Sequence, residues 1–313
     1  MRPENKDLNF IQTLNAKLAR KDSFLDLSYE RMGNAGIVFL CRNKDLSHVR
    51  KLDLSWNEIT DEGLGALAGL GSLMGLKHLI LNANQIGDEG ARSLAASKNL
   101  PNLESIELTN NQVSDYGALS LVKSQTLLSL EFLDLEMNKV GQQKLTRFPD
   151  GAVVSKLRVL NLRRNFMGDE NIADWAQSGA FEKVVHLNLG WNQITSQGAR
   201  VLANSPTLNQ LEDLVLDSNH ISDSGALDIA KSKHLNNLAQ LYMQDNKISQ
   251  TGETALRTMR SRNLLAKKRI ENKLNLNEQR LDNKDLVSLA LYEKLDGIVS
   301  LSLRNNYFDY HGL

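Results

Sequence analysis

Several things are scarce in this sequence, and each scarcity narrows what the chain can be. It has one cysteine in 313 residues, Cys41, so no internal disulfide can form and a cysteine-built zinc site is argued against. There are four prolines, and aromatics make up 5%, so a Pro-rich or aromatic-rich binding segment is not on offer. Neither charge sign is in excess: Lys+Arg and Asp+Glu are 37 each. A general nucleic-acid binder needs a basic surplus, and that argument is gone. No window of about 18 consecutive apolar residues exists, so no transmembrane helix is expected. The opening residues Met1, Arg2, Pro3, Glu4, Asn5, Lys6 and Asp7 lack the apolar core of a secretory signal. The chain is therefore expected to be cytoplasmic where it is made, and export into a host-cell cytosol by a specialised machine stays compatible with that.

What the sequence has in quantity is leucine and asparagine, and they are periodic. Asn57, Asn84, Asn111, Asn138, Asn165, Asn192, Asn219 and Asn246 follow one another at steps of 27 residues. Glu30 stands one step before the series; after Asn246 the step is 33, to Gln279, and then 27 again to Asn306. That makes eleven copies with six extra residues between the ninth and tenth. The unit reads L-x-x-L-x-L-x-x-N-x-I-x-D-x-G-A-x-x-L-A, as in Leu76, Leu79, Leu81, Asn84, Ile86, Asp88, Gly90, Ala91, Leu94 and Ala95. Alternation through L-x-L predicts a strand with one buried face. The tail then changes to helical spacing. Asp61, Asp88, Asp115, Asp169 and Asp223 recur four after the Asn, with Thr60, Ser114, Thr195 and Ser222 often just before, and these read as helix N-cap and first-turn residues. The apolar residue ten after the Asn, such as Leu67, Leu94, Leu121, Phe148 or Trp175, should face the core. The Asn column needs no ligand, because each side chain can bond backbone groups at the turn and stitch neighbouring coils. The Gly six after the Asn opens the helix where backbones crowd, and no lysine-bearing phosphate loop accompanies it. Cys41 falls in the slot of Ala68, Ala95, Ala203 and Ala230 and reads as a small core residue.

This unit resembles the leucine-rich repeat, and its long, helix-bearing form resembles the ribonuclease-inhibitor-like subclass, over about residues 24–313. The resemblance implies an α/β solenoid, a horseshoe with a parallel β-sheet on the concave face and helices on the convex face. The departure from ribonuclease inhibitor is that one unit length is kept and cysteine is absent from the ladder. The uniform units and G-A-x-x-L-A-x-S tails are similar to leucine-rich repeat effectors of intracellular bacterial pathogens. Residues 1–23 precede the first strand, and Leu8, Ile11, Leu14 and Leu18 are spaced as an N-terminal helical cap. The organisation expected is thus a cap over 1–23 and one solenoid over 24–313.

Three places depart from the pattern. Arg147, Phe148, Pro149, Asp150 and Gly151 stand where the fifth copy should have its helix, so a loop is expected. The 257–273 stretch carries Arg257, Arg260, Arg262, Lys267, Lys268, Arg269 and Lys273 against Glu271 alone. It reads as an elongated, solvated helix face, with an anionic lipid, nucleic-acid or acidic protein surface as the functional alternative. The last copy stops at Leu313 where a helix should begin, so a further segment, or a partner covering that end, is expected.

Function should live on the outward strand positions, six, four, two and one before each Asn. Early copies place Phe24, Asp26, Ser28, Tyr29, Lys51, Asp53, Ser55 and Trp56 there; middle copies add Glu107, Phe132, Asp134, Glu136, Arg163 and Arg164; later copies add His186, Trp191, Asp217, Tyr242 and Asp245. Trp56 and Trp191 occupy the same position five copies apart, and exposed tryptophan is a typical interface anchor. The expected partner-binding residues are Tyr29, Asp53, Trp56, Glu107, Phe132, Asp134, Glu136, Arg163, Arg164, His186, Trp191, Asp217, Tyr242 and Asp245. Catalysis is not expected, since a strand ladder offers no pocket with converging groups. His78 and His186 share a column, but at roughly 4.8 Å per strand they are about 19 Å apart, too far to share a metal. Neither cofactor, metal nor small-molecule substrate is expected. The reading is a non-enzymatic module that binds a folded protein through its concave face, a host protein if the effector resemblance holds. The alternatives are a regulator of a small GTPase, by similarity to the solenoid GTPase-activating protein of the nuclear-transport GTPase, or anionic lipid or nucleic-acid binding through 257–273.

Overall fold

The computed structural model describes residues 12, 14–43, 45–143, 156–271, 273–291, 295 and 297–308. The 147–151 departure, Leu8 and Ile11 of the expected N-terminal cap, and the end of the last copy at Leu313 lie outside the described residues. The chain divides into two compact units, Met1–Met167 with Gln177–Val184, and Gly168–Ala176 with Val185–Leu313.

In the first unit residues 14–19 are helical, and Leu14 is fully buried. Six short strands follow: β1 (Phe24–Asp26), β2 (Lys51–Asp53), β3 (His78–Ile80), β4 (Ser105–Glu107), β5 (Phe132–Asp134) and β6 (Val159–Asn161). All neighbours are parallel, and the central apolar residue stays in register, Leu25 with Leu52, Leu79, Ile106, Leu133 and Leu160. The returns are α1 (Gly33–Asn43), α2 (Asp61–Ala68), α3 (Asp88–Ala95) and α4 (Asp115–Val122). One layer of leucines joins the two sides. Leu52, Leu54, Leu79 and Leu81 from the strands and Leu94 and Leu121 from the helices are 0% exposed. Each such side chain contributes about 1.5–3 kcal/mol on burial.

The second unit repeats the plan with α5 (Asp169–Gln177), β7 (His186–Asn188), α6 (Ser196–Asn204), β8 (Asp213–Val215), α7 (Asp223–Ala230) and β9 (Gln240–Tyr242). Strands β7, β8 and β9 are parallel and again one period apart. Then the plan changes. Helix α8 (Gln250–Lys268) runs for 19 residues where its predecessors run for eight or nine. It leads into β10 (Arg269–Ile270), which pairs antiparallel with β11 (Lys273–Asn275); α9 (Asn283–Ala290) and a parallel β12 (Ser300–Ser302) follow. Leu264, Leu265, Leu274, Leu276, Leu281 and Leu289 form the core of this last part. The extra residues of the 33-residue step thus lengthen a helix, as expected, and also build a hairpin that the period did not announce. Among the described residues no helix is long and apolar enough to cross a membrane.

The asparagine column is a hydrogen-bond ladder. Asn84 Nδ2 donates to Leu54 O of the preceding coil at 3.0 Å and to Leu81 O at 2.9 Å, while its Oδ1 accepts from Asn57 N at 3.1 Å and Ile59 N at 2.9 Å. Asn219 does the same in the second unit, bonding Leu189 O at 3.0 Å and accepting from Ile194 N at 3.0 Å. All four valences are used by backbone groups that would otherwise be orphaned in the turn.

The aspartates stand in the first turn of their helices, as expected, and their hydrogen bonds reach further. Thr60, Ser114, Thr195 and Ser222 are N-caps by position, but of these four only Thr195 accepts a backbone amide of its own helix through its side chain. The aspartates instead serve the next coil. Asp88 in α3 accepts from Ser114 N at 2.7 Å, Ser114 Oγ at 2.5 Å and Gly117 N at 3.0 Å, which are the cap and first turn of α4. Asp169 meets Thr195 and Gly198 in the same way, and Asp223 meets Ser249. The physical reason is geometric: at the first helical position the side chain points back along the helix, toward the neighbouring coil's free amides.

Candidate recognition surface

Each strand ends in the same unusual backbone. The residue just before the ladder position is left-handed in every described coil: Tyr29 at φ 61°, Trp56 at 59°, Met137 at 56°, Arg164 at 52°, Trp191 at 55° and Asp245 at 55°. Asn tolerates this region; bulky side chains do so at a cost of order 1 kcal/mol. In most coils the amide of this residue donates to the next coil, Tyr29 N to Ser55 O at 3.0 Å and Trp56 N to Asn82 O at 2.9 Å; Asp245 keeps the same backbone without that bond. The effect of the conformation is to throw the side chain off the sheet. Tyr29, Trp56 and Trp191 are 68%, 51% and 47% exposed. These rings stand out against Ala83 and Asn110, which fill the same left-handed position in the same row.

Tyr29 and Trp56 stack on each other with ring centroids 5.4 Å apart and planes 11° from parallel. Lys51 Nζ lies 5.0 Å from the centroid of the half-exposed Phe24 ring, a cation–π contact between the first residues of β1 and β2. A cleft of about 530 Å³ adjoins the stack, lined among others by Tyr29, Trp56, Ala83 and Asn110.

The acidic candidates are tethered to the sheet they stand on. Asp53 accepts from Ser55 N at 2.9 Å; Asp134 accepts from Glu136 N, Thr109 Oγ1 and Asn161 Nδ2 at 2.8, 3.1 and 3.1 Å; Glu107 accepts from Asn82 Nδ2 at 3.1 Å. Glu136 and Arg163 form an ion pair, Nε to Oε1 3.8 Å, and Arg164 Nη1 rests 4.0 Å from Met137 Sδ. Phe132 is half-buried beside them. In the second unit His186 Nδ1 and Asp213 Oδ2 are 2.5 Å apart, Asp245 accepts from Ser218 Oγ at 3.3 Å, Tyr242 OH accepts from Arg280 at 2.9 Å, and Asp217 is half-buried. Each expected binding residue is at least partly exposed. Ser55, read as outward, is 7% exposed, because its short side chain does not clear the flanking rows.

The basic 257–273 stretch turns largely inward. Arg257 bonds Asp282 and Asp285 at 2.9 Å each; Arg260 bonds Asp285 at 2.7 Å, Ala239 O at 3.1 Å and Gln279 O at 2.7 Å; Arg262 reaches Ala230 O and Ser232 O; Lys267 pairs with Glu212 at 2.5 Å. Lys273 is exposed and Lys268 half-buried. Sequence could count these charges but not their partners, which lie up to 55 residues away. Cys41 is half-buried, and burial pushes its thiol up to about 11, so it is protonated near neutrality and a poor nucleophile. Among the described residues no group of three His, Cys, Asp or Glu side chains lies close enough to hold a metal ion.

Against known proteins, the Leucine Rich repeat family model matches residues 45–68, 74–95, 99–122, 182–203 and 207–230. No curated relative matches the sequence. Among solved structures, an internalin C2 (inlC2) of Listeria monocytogenes is similar at 25% identity over 71% of this chain and 88% of its own, with a TM-score of 0.48. An internalin (inlF) of the same species is similar at 22% identity over 70% of this chain and 68% of its own, with a TM-score of 0.41. The matched repeats fall on the coils described above, each one strand, one asparagine rung and one helix; these segments are leucine-rich repeats, and the fold is that of an α/β leucine-rich repeat solenoid.

Proposed function

We propose that the chain is a non-enzymatic recognition module that grips a folded protein through the outward strand rows. The observation that carries this reading is the Tyr29–Trp56 stack, two solvated aromatic rings on left-handed backbone that the fold itself does not require. Rings of this kind supply most of the energy at protein interfaces, and a stitched solenoid loses little ordering entropy on binding. The tethered carboxylates Asp53, Glu107 and Asp134 surround the anchors with fixed negative charge, which suits a partner surface bearing lysine or arginine. The helix return in each coil supports placement in the long-unit, ribonuclease-inhibitor-like subclass. The further reading, that the partner is a host protein met after export, rests on the likeness of the repeat texture to bacterial effectors.

The test is affinity capture from eukaryotic and bacterial lysates with the Trp56→Ala/Trp191→Ala variant as the paired control. A prey held by the wild type and released by the variant is expected. Retention of the same prey by both proteins overturns the placement on the strand rows. Enrichment from bacterial lysate alone overturns the host reading and leaves the surface standing.

A further inference from the structure

Among the described residues of the second unit the stack of coils is interrupted after β9. Coil eight is complete: Leu214, Leu216, Ile221 and Ile229 are all 0% exposed. Their counterparts in coil nine, Leu241, Met243, Ile248 and Leu256, are each half-buried. The hydrogen bonds break at the same place. Leu216 N donates to Tyr242 O at 2.7 Å, Ser218 N to Gln244 O at 2.8 Å, and Ile221 N to Asn246 Oδ1 at 2.9 Å. The amides one period on, Met243 N, Asp245 N and Ile248 N, have no partner among the described residues. Gln279, which should supply the next rung, bonds Asn277 O in its own coil instead. Strand β9 pairs with β8 and with no further described strand, and β11 belongs to a separate sheet whose edge is β10. The long α8 has carried the next strand out of reach.

The gap is not closed by collapse. A cleft of about 510 Å³ lies there, lined by 240–246 of β9 and its turn, by Ile248, Glu253, Leu256, Arg257 and Arg260, and by Arg280, Asp282, Asp285 and Tyr307. That volume sits within the range of about 300–1,000 Å³ seen for ligand pockets. Side chains stand in for the missing strand at one end only: Ala239 O, which a strand amide should meet, accepts from Arg260 Nε at 3.1 Å. Arg257 and Arg260 are neutralised by Asp282 and Asp285. Arg280 on the outer wall has the Tyr242 hydroxyl as its hydrogen-bond partner and no carboxylate in a salt bridge among the described residues.

We infer that this slot receives an extended segment of a partner protein, with the pattern apolar–acidic–apolar, which adds to β9 as a parallel strand. The two apolar residues would fill the rung that Leu241, Met243, Ile248 and Leu256 leave half-open. The acidic residue between them would point outward beside Tyr242 and meet Arg280. The segment's carbonyls would accept from Met243 N and Asp245 N. Main-chain pairing supplies affinity in this mode of recognition, and the alternate side chains supply specificity. The slot shares Tyr242 and Asp245 with the outward rows but not the Tyr29–Trp56 stack, so its test does not depend on that anchor.

A peptide copying the chain's own residues 49–55 (Val-Arg-Lys-Leu-Asp-Leu-Ser) carries the pattern and serves as the probe. Hydrogen exchange is followed on the full chain with and without it. Slowing of the Met243 and Asp245 amides is expected, with no change on β2 or β3. A peptide N-methylated at its Lys and Asp amides should bind about tenfold or more weakly, the worth of roughly one hydrogen bond. Arg280→Glu, at an exposed position, should weaken the Asp peptide and be rescued by a peptide with Lys at that place. Binding indifferent to N-methylation overturns strand addition, as does no slowing at millimolar peptide. Slowing by a dodecyl-chain detergent but not by the peptide assigns the slot to an acyl chain and overturns it too. If the wild-type chain takes the peptide while Trp56→Ala/Trp191→Ala does so equally, the two surfaces are separate.

Discussion

Asp88 and Gly117 are 29 residues apart, and the carboxylate of the one accepts a hydrogen bond from the amide of the other at 3.0 Å. The contact explains both columns together. A Cβ on Gly117 would stand 2.6 Å from Asp88 Oδ1, and one on Gly252 would stand 2.6 Å from Asp223 Oδ1. The glycine is small so that the aspartate of the coil before can reach the helix's first turn.

Asp88→Ala should therefore destabilise α4 rather than α3, by about 1–2 kcal/mol, the usual worth of a helix cap. Gly117→Ala, which ordinarily favours a helix, should destabilise instead because of the close approach. Chemical denaturation read with residue-level hydrogen exchange locates the effect; loss of protection confined to α3 would contradict the cross-coil assignment.

The ladder also predicts acid sensitivity. Hydrogen bonds from the Ser249 hydroxyl, and next from its backbone amide, hold the Asp223 carboxyl below its ordinary value. A carboxyl depressed in the folded state stabilises above its unfolded pKa, near 4, and that stabilisation is lost as pH falls through the lower folded value. Thermal stability should drop from about pH 4 downward, and Asp223→Asn should flatten that acid limb.

Trp56→Asn exchanges a bulky residue for one that accepts left-handed backbone. Stability should hold or rise by up to about 1 kcal/mol, while partner capture is lost. A melting temperature that falls clearly with this change would mean that the ring is part of the fold.

Arg260→Ala should behave as a structural lesion. It leaves Asp285, whose side chain is 5% exposed, with one arginine fewer and frees Ala239 O. A loss of roughly 2–4 kcal/mol is expected for breaking a buried pair. An unchanged denaturation midpoint with a lost ligand would restore the 257–273 stretch as a binding face.

Cys41 should resist modification. With its thiol pushed up to about 11, the thiolate fraction near pH 8 is about a thousandth, so aromatic disulfide reagents should react slowly with the native chain and promptly with the unfolded one.

The period, the strands and the asparagine rungs were legible in the sequence because each is a local pattern repeated in phase, and a buried face leaves its mark every second residue. The role of Asp88 was not, because it is a relation between one copy and the next. Counted within a unit, Asp and Gly look like independent helix residues. The insertion at the 33-residue step could be seen, but the half-open rung at Leu241 and Met243 depends on which strand stands beside β9, which spacing alone does not fix. The aromatic candidates Tyr29, Trp56 and Trp191 were readable as outward positions; their left-handed backbone, which makes them costly and therefore informative, was not.

The two ladders run in opposite senses. Helices such as α4 and α6 are capped by the coil before them, through Asp88 and Asp169, while turns are completed by the coil after them, as Asn84 completes the turn at Ile59. A nascent chain leaving a ribosome therefore finds the cap for such a helix already in place, yet must wait for 25 further residues, from Ile59 to Asn84, before the turn closes. Synthesis from the N-terminus would lay down this solenoid with one unfinished coil always at the growing end, a lag of a single repeat.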